Sequence, residues 1–335
     1  MMNEEYGEFY MAEKKHSPFY VLRILQEYSD EHNILTANKI LSRLETDYDL
    51  VLERRTLYSN IDILRQAGYA ISDFKHNGKG YYLLSREFTK GEILLLCNAV
   101  HASHFISDEQ SSVLISKLLR FLSRSEQSEF RSSVYLPNRK KTENKALLKN
   151  IEILSTAIAE GRKVRFSYVR HDAEKNEISR RKEPYVLEPR FIVFADSRPY
   201  LIATNPKYTS FSHYRIDRMK RLVPLEEKAE PLPEKRVTEA YEYAENKLFM
   251  FAGEDEWISL KCEERIMDQM IDIFGPQMKT IPAEEGYFIA RVKCERTGIL
   301  FLAQQYMDAV EIVDPPELRE EMRKRLKAAQ DRYSI

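Results

Sequence analysis

The sequence predicts an α+β protein of several domains, and three observations predict it. The chain has 335 residues, more than one ordinary core encloses. Apolar residues recur at helical spacing over residues 17–66, 88–130 and 147–161, alternate in short runs over 163–219, and do both after residue 257. Charge is divided unevenly: residues 1–138 hold 16 basic and 19 acidic side chains, residues 139–221 hold 20 and 10, and residues 226–335 hold 16 and 24. A net charge of −1 therefore conceals a middle third at +10, which suits an anionic partner or is simply a solvated face.

Composition narrows the function classes. Hydrophobic residues at 43% and aromatics at 11% suit folded domains rather than disorder. Glycine is scarce at 10 residues, and neither a P-loop nor a G-x-G-x-x-G fingerprint is present. No apolar run approaches the roughly 20 residues that cross a bilayer, and the opening "MMNEEYGEFYMAEKK" is acidic where a signal peptide is basic. A cytoplasmic protein with no membrane partner is expected. Cys97, Cys262 and Cys294 are too dispersed for a disulfide framework or a paired metal motif. No nucleophile elbow and no carboxylate–histidine cluster occurs, so the expectation is a non-enzyme without cofactor or metal.

After an acidic tail (residues 1–13), "SPFYVLRILQEYS" predicts a helix capped by Ser17 with Pro18 in its first turn. "TANKILSRLETDY" predicts a second, capped by Thr36. In "LERRTLYSNIDILRQAG" the third helix buries Leu57, Ile61 and Leu64 and turns Arg54, Arg55, Tyr58, Ser59 and Asn60 outward. "YAISDFKHNGKGYYLL" predicts two strands joined by a tight Asn77-Gly78 turn. Three helices and a hairpin within residues 14–86 are the plan of a winged helix-turn-helix, whose third helix enters the major groove. On that helix Arg55 can reach guanine O6 and N7, Asn60 can address adenine, and Thr56, Tyr58 and Ser59 can hold phosphates. Lys75, His76 and Lys79 add positive charge on the wing. Alternatively, Arg54 and Arg55 are ordinary surface residues and Arg65 pairs with Asp62.

Residues 87–146 predict a helical linker: two helices with broad apolar faces over 88–130, suited to dimerisation, then the basic "RSSVYLPNRKKTENK". Cys97, His101 and His104 share one face. Cys97 and His104 are roughly 10 Å apart along a helix axis, too far for one ion, and packing is the preferred reading.

A helix over 147–161 ends at Gly161. Five short segments follow, "KVRFSYV", "RKEPYVLEPR", "FIVFA", "RPYLIATN" and "FSHYRIDRM", and predict a small β-barrel ending near residue 225. Regular alternation in the last puts His213, Arg215 and Asp217 on one face and Tyr214, Ile216 and Arg218 on the other. A linker (226–245) leads to residues 246–335, where strand, helix, strand, strand, helix, strand is the order of a ferredoxin-like split unit, closed by a helix.

These blocks resemble the bacterial WYL-domain transcriptional regulators over nearly the whole chain from about residue 14. The resemblance rests on "ERRTLYSNIDILRQAGYAI" and "GYYLL", on "VRFSY", "LEPR", "RPYLIAT" and "YRIDRM", and on "DAVEIVDPPELREEM". Pro199 stands where the naming tryptophan of the family falls, leaving Tyr200 and Leu201; Glu53 and Asn60 also replace a serine and an aspartate of the family pattern. The resemblance implies a homodimer with a winged helix on a double-stranded DNA operator, an Sm-like WYL barrel over 147–225 and a WCX extension over 246–335. It further implies that the barrel senses an anionic effector, a nucleotide or single-stranded nucleic acid, on Tyr200, Arg215 and Arg218, with Arg190, His213 and Tyr214 as secondary candidates. Guanidinium forks suit phosphate and aromatic rings suit bases. For Arg215 and Arg218 to meet one ligand the strand must end or bulge between them. Alternatively, Tyr200 and Leu201 are barrel core and Asp217 pairs with Arg218. A second functional reading is an accessory protein that binds RNA or single-stranded DNA and modulates another nucleic-acid machine.

Overall fold

The computed structural model describes residues 15–133, 141–142, 144–195, 197–205, 207–245, 250–251 and 253–334. The acidic tail and most of the basic linker fall outside these. The chain forms two compact units, Met1–Lys145 and Ala146–Ile335.

The first unit opens with α1 (Ser17–Tyr28), α2 (Ala37–Tyr48) and α3 (Arg54–Gln66). Thr36 caps α2 by accepting from the Lys39 N–H at 3.3 Å. The residue before α1 is His16, without a side-chain cap, so Ser17 is the first helical residue rather than the cap expected for it. The inward stripes of the three helices supply Val21, Ile24, Leu25, Ile40, Leu44, Leu57, Ile61 and Leu64 to one core.

The wing departs from the expected hairpin. Asp73 accepts from the His76 N–H at 2.7 Å and starts a one-turn helix, α4 (Phe74–Asn77). The Asn77 carboxamide then accepts from the N–H groups of Lys79 and Gly80. Pairing is limited to isolated bridges, Ile71 with Leu83 and Leu35 with Tyr81. At Gly80 the backbone passes so close to Leu35 that a Cβ would stand 2.2 Å from its carbonyl oxygen.

Residues 88–133 contain three helices rather than two: α5 (Lys90–Ala102), α6 (Asp108–Leu119) and α7 (Arg124–Ser133). A capping box between Thr89 and Glu92 starts α5. Ile93, Cys97, Leu119, Leu122 and Phe130 form a small core. Two polar contacts tie it to the winged region. The Ser123 hydroxyl donates to Asp30 at 2.6 Å, and the Arg86 guanidinium donates to the carbonyls of Gln26, Ser29 and Phe121.

The second unit starts with α8 (Leu147–Ala159), followed by β1 (Arg162–His171), β2 (Glu177–Ser179), β3 (Tyr185–Ala195), β4 (Arg198–Asn205), β5 (Tyr208–Arg215) and β6 (Met219–Lys228). "RKEPYVLEPR" and "FIVFA" are not two strands. They contribute to the single long β3, which shifts register between Pro189 and Phe191. The antiparallel sheet runs β2-β1-β3-β4-β5, with β6 on the other side of β1. Strands β1 and β5 are three spacings apart, roughly 14 Å in a flat sheet. The Tyr168 and Tyr214 rings nevertheless meet at 5.4 Å, so the sheet curls into a partial barrel.

The expected linker over 226–245 is largely ordered: its first residues end β6, and α9 (Glu234–Glu245) follows. Beyond it lie β7 (Asp255–Glu263), α10 (Met267–Phe274), β8 (Lys279–Pro282), β9 (Tyr287–Glu295), α11 (Arg296–Gln305), β10 (Val310–Asp314) and α12 (Pro316–Tyr333). The sheet order is β10-β7-β9-β8, antiparallel throughout. One face carries Ile258, Leu260, Phe288, Ala290 and Val292 against Met270, Ile299, Leu302 and Leu318 of the helices.

Candidate nucleic-acid interface and ligand site

In the first unit, α3 is held by buried Leu57, Ile61 and Leu64, which leaves its other side outward. Arg55 and Ser59 are exposed, Tyr58 is 42% exposed and Thr56 is half-buried. Arg55 makes no hydrogen bond or ion pair among the described residues. Arg54 donates to the Asn38 carboxamide of α2 at 2.6 Å, so part of its capacity is already used. Lys75, His76 and Lys79 are exposed on the wing.

Asn60 is not on this surface. It is buried, and its Nδ2 donates to the Ser17 hydroxyl of α1 at 2.8 Å. A side chain spent on fixing α1 to α3 cannot read a base, and the expected adenine contact is corrected accordingly.

Arg65 joins the outward helix to the wing. It donates to the carbonyls of Ile71 and Ser72 and lies 3.5 Å from Asp62 and 3.9 Å from Asp73. Tyr58 of α3 and Tyr81 of the wing pack with ring centroids 6.4 Å apart. Arg65 and the Tyr58–Tyr81 contact thus join the helix to its flanking turn.

In the second unit, cross-strand register divides the effector candidates between two faces of the sheet. Tyr200 pairs with Arg215 and Ile202 with His213, which places these four on one face. Tyr200 is buried, with its ring 6.0 Å from His213. His213 Nδ1 lies 2.7 Å from the Tyr243 hydroxyl of α9, and burial pushes that phenol's pKa up. Tyr200, Ile202, Phe211 and Ala240 pack together here. Tyr200 and His213 thereby dock α9 onto the sheet.

Tyr214 lies on the opposite face, in an aromatic cluster not anticipated from the sequence. Phe166 and Tyr185 stack at 5.5 Å with an interplanar angle of 8°. Tyr214 sets its edge against Phe166, Tyr168 and Tyr185 at 5.3–5.6 Å. The Arg181 guanidinium lies 3.5 Å over the Tyr185 ring. Burial raises the Tyr214 phenol, helped by Tyr185 and opposed by the charges of Arg181 and Arg180. A signal for the cluster was present: alternation in "VRFSY" puts Phe166 and Tyr168 on one face.

Arg215 and Arg218 are separated by a 3-10 turn, Ile216–Arg218, where the strand ends. Asn150 of α8 holds this turn by donating to the carbonyls of Met219 at 3.0 Å and Ile216 at 3.4 Å. The turn supplies the break that lets Arg215 and Arg218 escape strict alternation. The two arginines differ in their commitments. Arg215 forms a two-bond fork with Asp217, at 3.1 and 2.7 Å, so Asp217 pairs with Arg215 rather than with Arg218. Arg218 is half-buried and makes no hydrogen bond or ion pair among the described residues. It is near enough to Tyr168 for its charge to oppose the rise that burial imposes on that phenol.

Arg190 is committed to the fold. It donates to Glu188 at 2.6 Å, to Thr204 Oγ1 at 2.7 Å and to the Glu230 carbonyl at 2.7 Å. Its side chain is 11% exposed and that of Glu188 3%, a buried ion pair with its remaining hydrogen-bond needs met.

Among the described residues no group of three or more His, Cys, Asp and Glu is placed to hold a metal ion, and no helix is long and apolar enough to cross a membrane.

Residues 149–224, from α8 into β6, match the family described as WYL domain. No curated protein matches the chain. Among solved structures the chain is similar to proteasome accessory factor B/C (PafBC) of Arthrobacter aurescens, at 17% identity, covering 95% of this chain and 49% of that one with a TM-score of 0.28. It therefore spans about half the length of that protein. It is also similar to a CRISPR Cas-related protein, at 15% identity, covering 94% of this chain and 83% of that one with a TM-score of 0.37. The domain match spans the segment that carries "VRFSY", "LEPR", "RPYLIAT" and "YRIDRM" on one curled sheet, and residues 149–224 are a WYL domain.

Proposed function

We propose that this protein is a DNA-binding transcriptional regulator, in which α3 meets duplex DNA and the WYL domain receives an anionic, nucleotide-like effector. The observation that carries the reading is Arg55: a guanidinium without an ion-pair partner among the described residues, beside Tyr58 and Ser59, on a helix whose other side is locked into a core. In this reading Arg55 addresses a guanine, and Thr56, Ser59, Lys75 and Lys79 the phosphates. On the WYL domain, Arg218 and the Tyr214 cluster with Arg180 and Arg181 offer charge and aromatic surface together.

A homodimer fits this reading. Leu95 of α5 is 70% exposed and Val113 of α6 50% exposed, apolar surface that a second copy would cover. An effector changes DNA binding only if it favours one arrangement of the protein over another.

The test is selection of genomic fragments by the purified full chain. A recurrent motif with two related half-sites is expected, and it should be lost with Arg55→Ala. Recovery of fragments with no enriched motif would count against the regulator reading.

A further inference from the structure

Residues 226–335 carry 16 basic and 24 acidic side chains, and four of the basic ones, Lys261, Lys279, Arg291 and Lys293, share one surface of this segment. That surface is the face of the C-terminal sheet turned away from its helices. Register places Trp257 opposite Lys293, Ser259 opposite Arg291 and Lys261 opposite Ile289, with Lys279 also opposite Arg291.

Trp257 is the chain's single tryptophan and is 46% exposed. The Arg291 guanidinium lies 5.0 Å from its ring centroid and Lys279 Nζ 5.8 Å. Lys261 Nζ lies 4.5 Å over the Tyr287 ring. Three acids near this face are engaged, Glu311 with Arg319, Glu263 with Arg265 and Glu284 with Lys261. Lys293 is exposed and makes no hydrogen bond or ion pair among the described residues.

We propose that this face is a docking platform for single-stranded nucleic acid, with Trp257 stacking a base and Arg291, Lys279 and Lys293 meeting backbone phosphates. Aromatic rings on an open four-stranded sheet suit unpaired bases, whose flat faces a duplex hides. Six residues of β7 separate the levels of Trp257 and Tyr287, roughly 20 Å, enough for about two or three bases. An acidic peptide would answer the cations but leave the tryptophan without a stacking partner. The proposal concerns a surface separate from α3 and from the WYL site, and stands independently of the function proposed for them.

Trp257 is its own probe. Titrating the full chain with a short oligothymidylate at low salt should quench Trp257 fluorescence saturably, and added salt should weaken the binding steeply. The double variant Arg291→Glu/Lys293→Glu should bind at least about tenfold more weakly. Trp257→Phe should retain most of the affinity, read by anisotropy of a labelled oligonucleotide, where Trp257→Ala loses it. No quenching, equal quenching by a duplex of the same length or by polyglutamate, or undiminished binding by the double variant with native circular dichroism would overturn the proposal. So would oligonucleotide binding that leaves Trp257 fluorescence unaltered, because the strand would then be held elsewhere.

Discussion

The Arg215 guanidinium and the Asp217 carboxylate face each other in a fork, Nε to Oδ1 at 3.1 Å and Nη2 to Oδ2 at 2.7 Å, at the 3-10 turn that follows β5. Their side chains are 19% and 11% exposed, so each charge depends on the other. Burial works against the Arg215 charge, and Asp217 outweighs it, leaving the guanidinium pKa raised. Arg218, the residue immediately after Asp217, keeps its charge available.

Arg215→Ala and Arg218→Ala should therefore separate structure from binding. The first strands Asp217 and should lower unfolding free energy by on the order of 1–3 kcal/mol. The second should leave stability within about 0.5 kcal/mol and weaken calorimetric binding of a nucleoside diphosphate. Equal losses of stability in the two variants would contradict this division of roles.

Asn60 predicts a stability effect without a change of base preference. Asn60→Ala removes the buried bond to Ser17 and should cost about 1–2 kcal/mol in urea unfolding. Folded variant should select the same DNA motif as the parent. An altered motif with unchanged stability would return Asn60 to the reading surface.

Gly80→Ala tests the wing. A Cβ 2.2 Å from the Leu35 carbonyl forces the two segments apart, so the variant should be destabilised by about 1–3 kcal/mol. Thermal unfolding measures this, and an unchanged melting temperature would show that the close approach is not needed.

Asp30 makes the first unit sensitive to acid. Burial opposes its charge, but hydrogen bonds from Ser123, Asn33 and His32 outweigh burial and hold the carboxyl below the ordinary 3.8. A depressed folded value contributes stability above the unfolded value and loses it as pH falls through the folded one. Stability should thus decline below about pH 4, and more shallowly in Asp30→Asn, which carries no charge to lose. Identical pH profiles would contradict the assignment.

What was legible in the sequence was what local patterns control. Periodicity located α1 to α3 and the order of β7 to β10, and Thr36 was identifiable as a cap because its bond spans three residues. The misplacements have non-local causes. Asn60 sits beside the buried stripe of α3 and is drawn inward by Ser17, 43 residues away. Asn77-Gly78 signals a turn, but Asp73 starts a helical turn that absorbs it. The break between Arg215 and Arg218 is held by Asn150, which meets the turn only after folding. The Phe166, Tyr168, Tyr185 and Tyr214 cluster arises from curling of the sheet, which brings together strands that alternation treats one at a time.

The most direct test of the account is the salt dependence of duplex DNA binding by the full chain, compared with Arg55→Ala and Lys75→Ala. The parent should bind duplex DNA with an affinity that falls steeply between about 50 and 200 mM salt. Lys75→Ala should flatten the slope of log K against log salt by about 1 on any sequence. Arg55→Ala should cost about 1–3 kcal/mol on selected sequences and far less on unselected ones. Absence of duplex binding at the lowest salt, or an Arg55→Ala variant that still discriminates selected from unselected DNA like the parent, would contradict the central claim that α3 is the DNA-reading element.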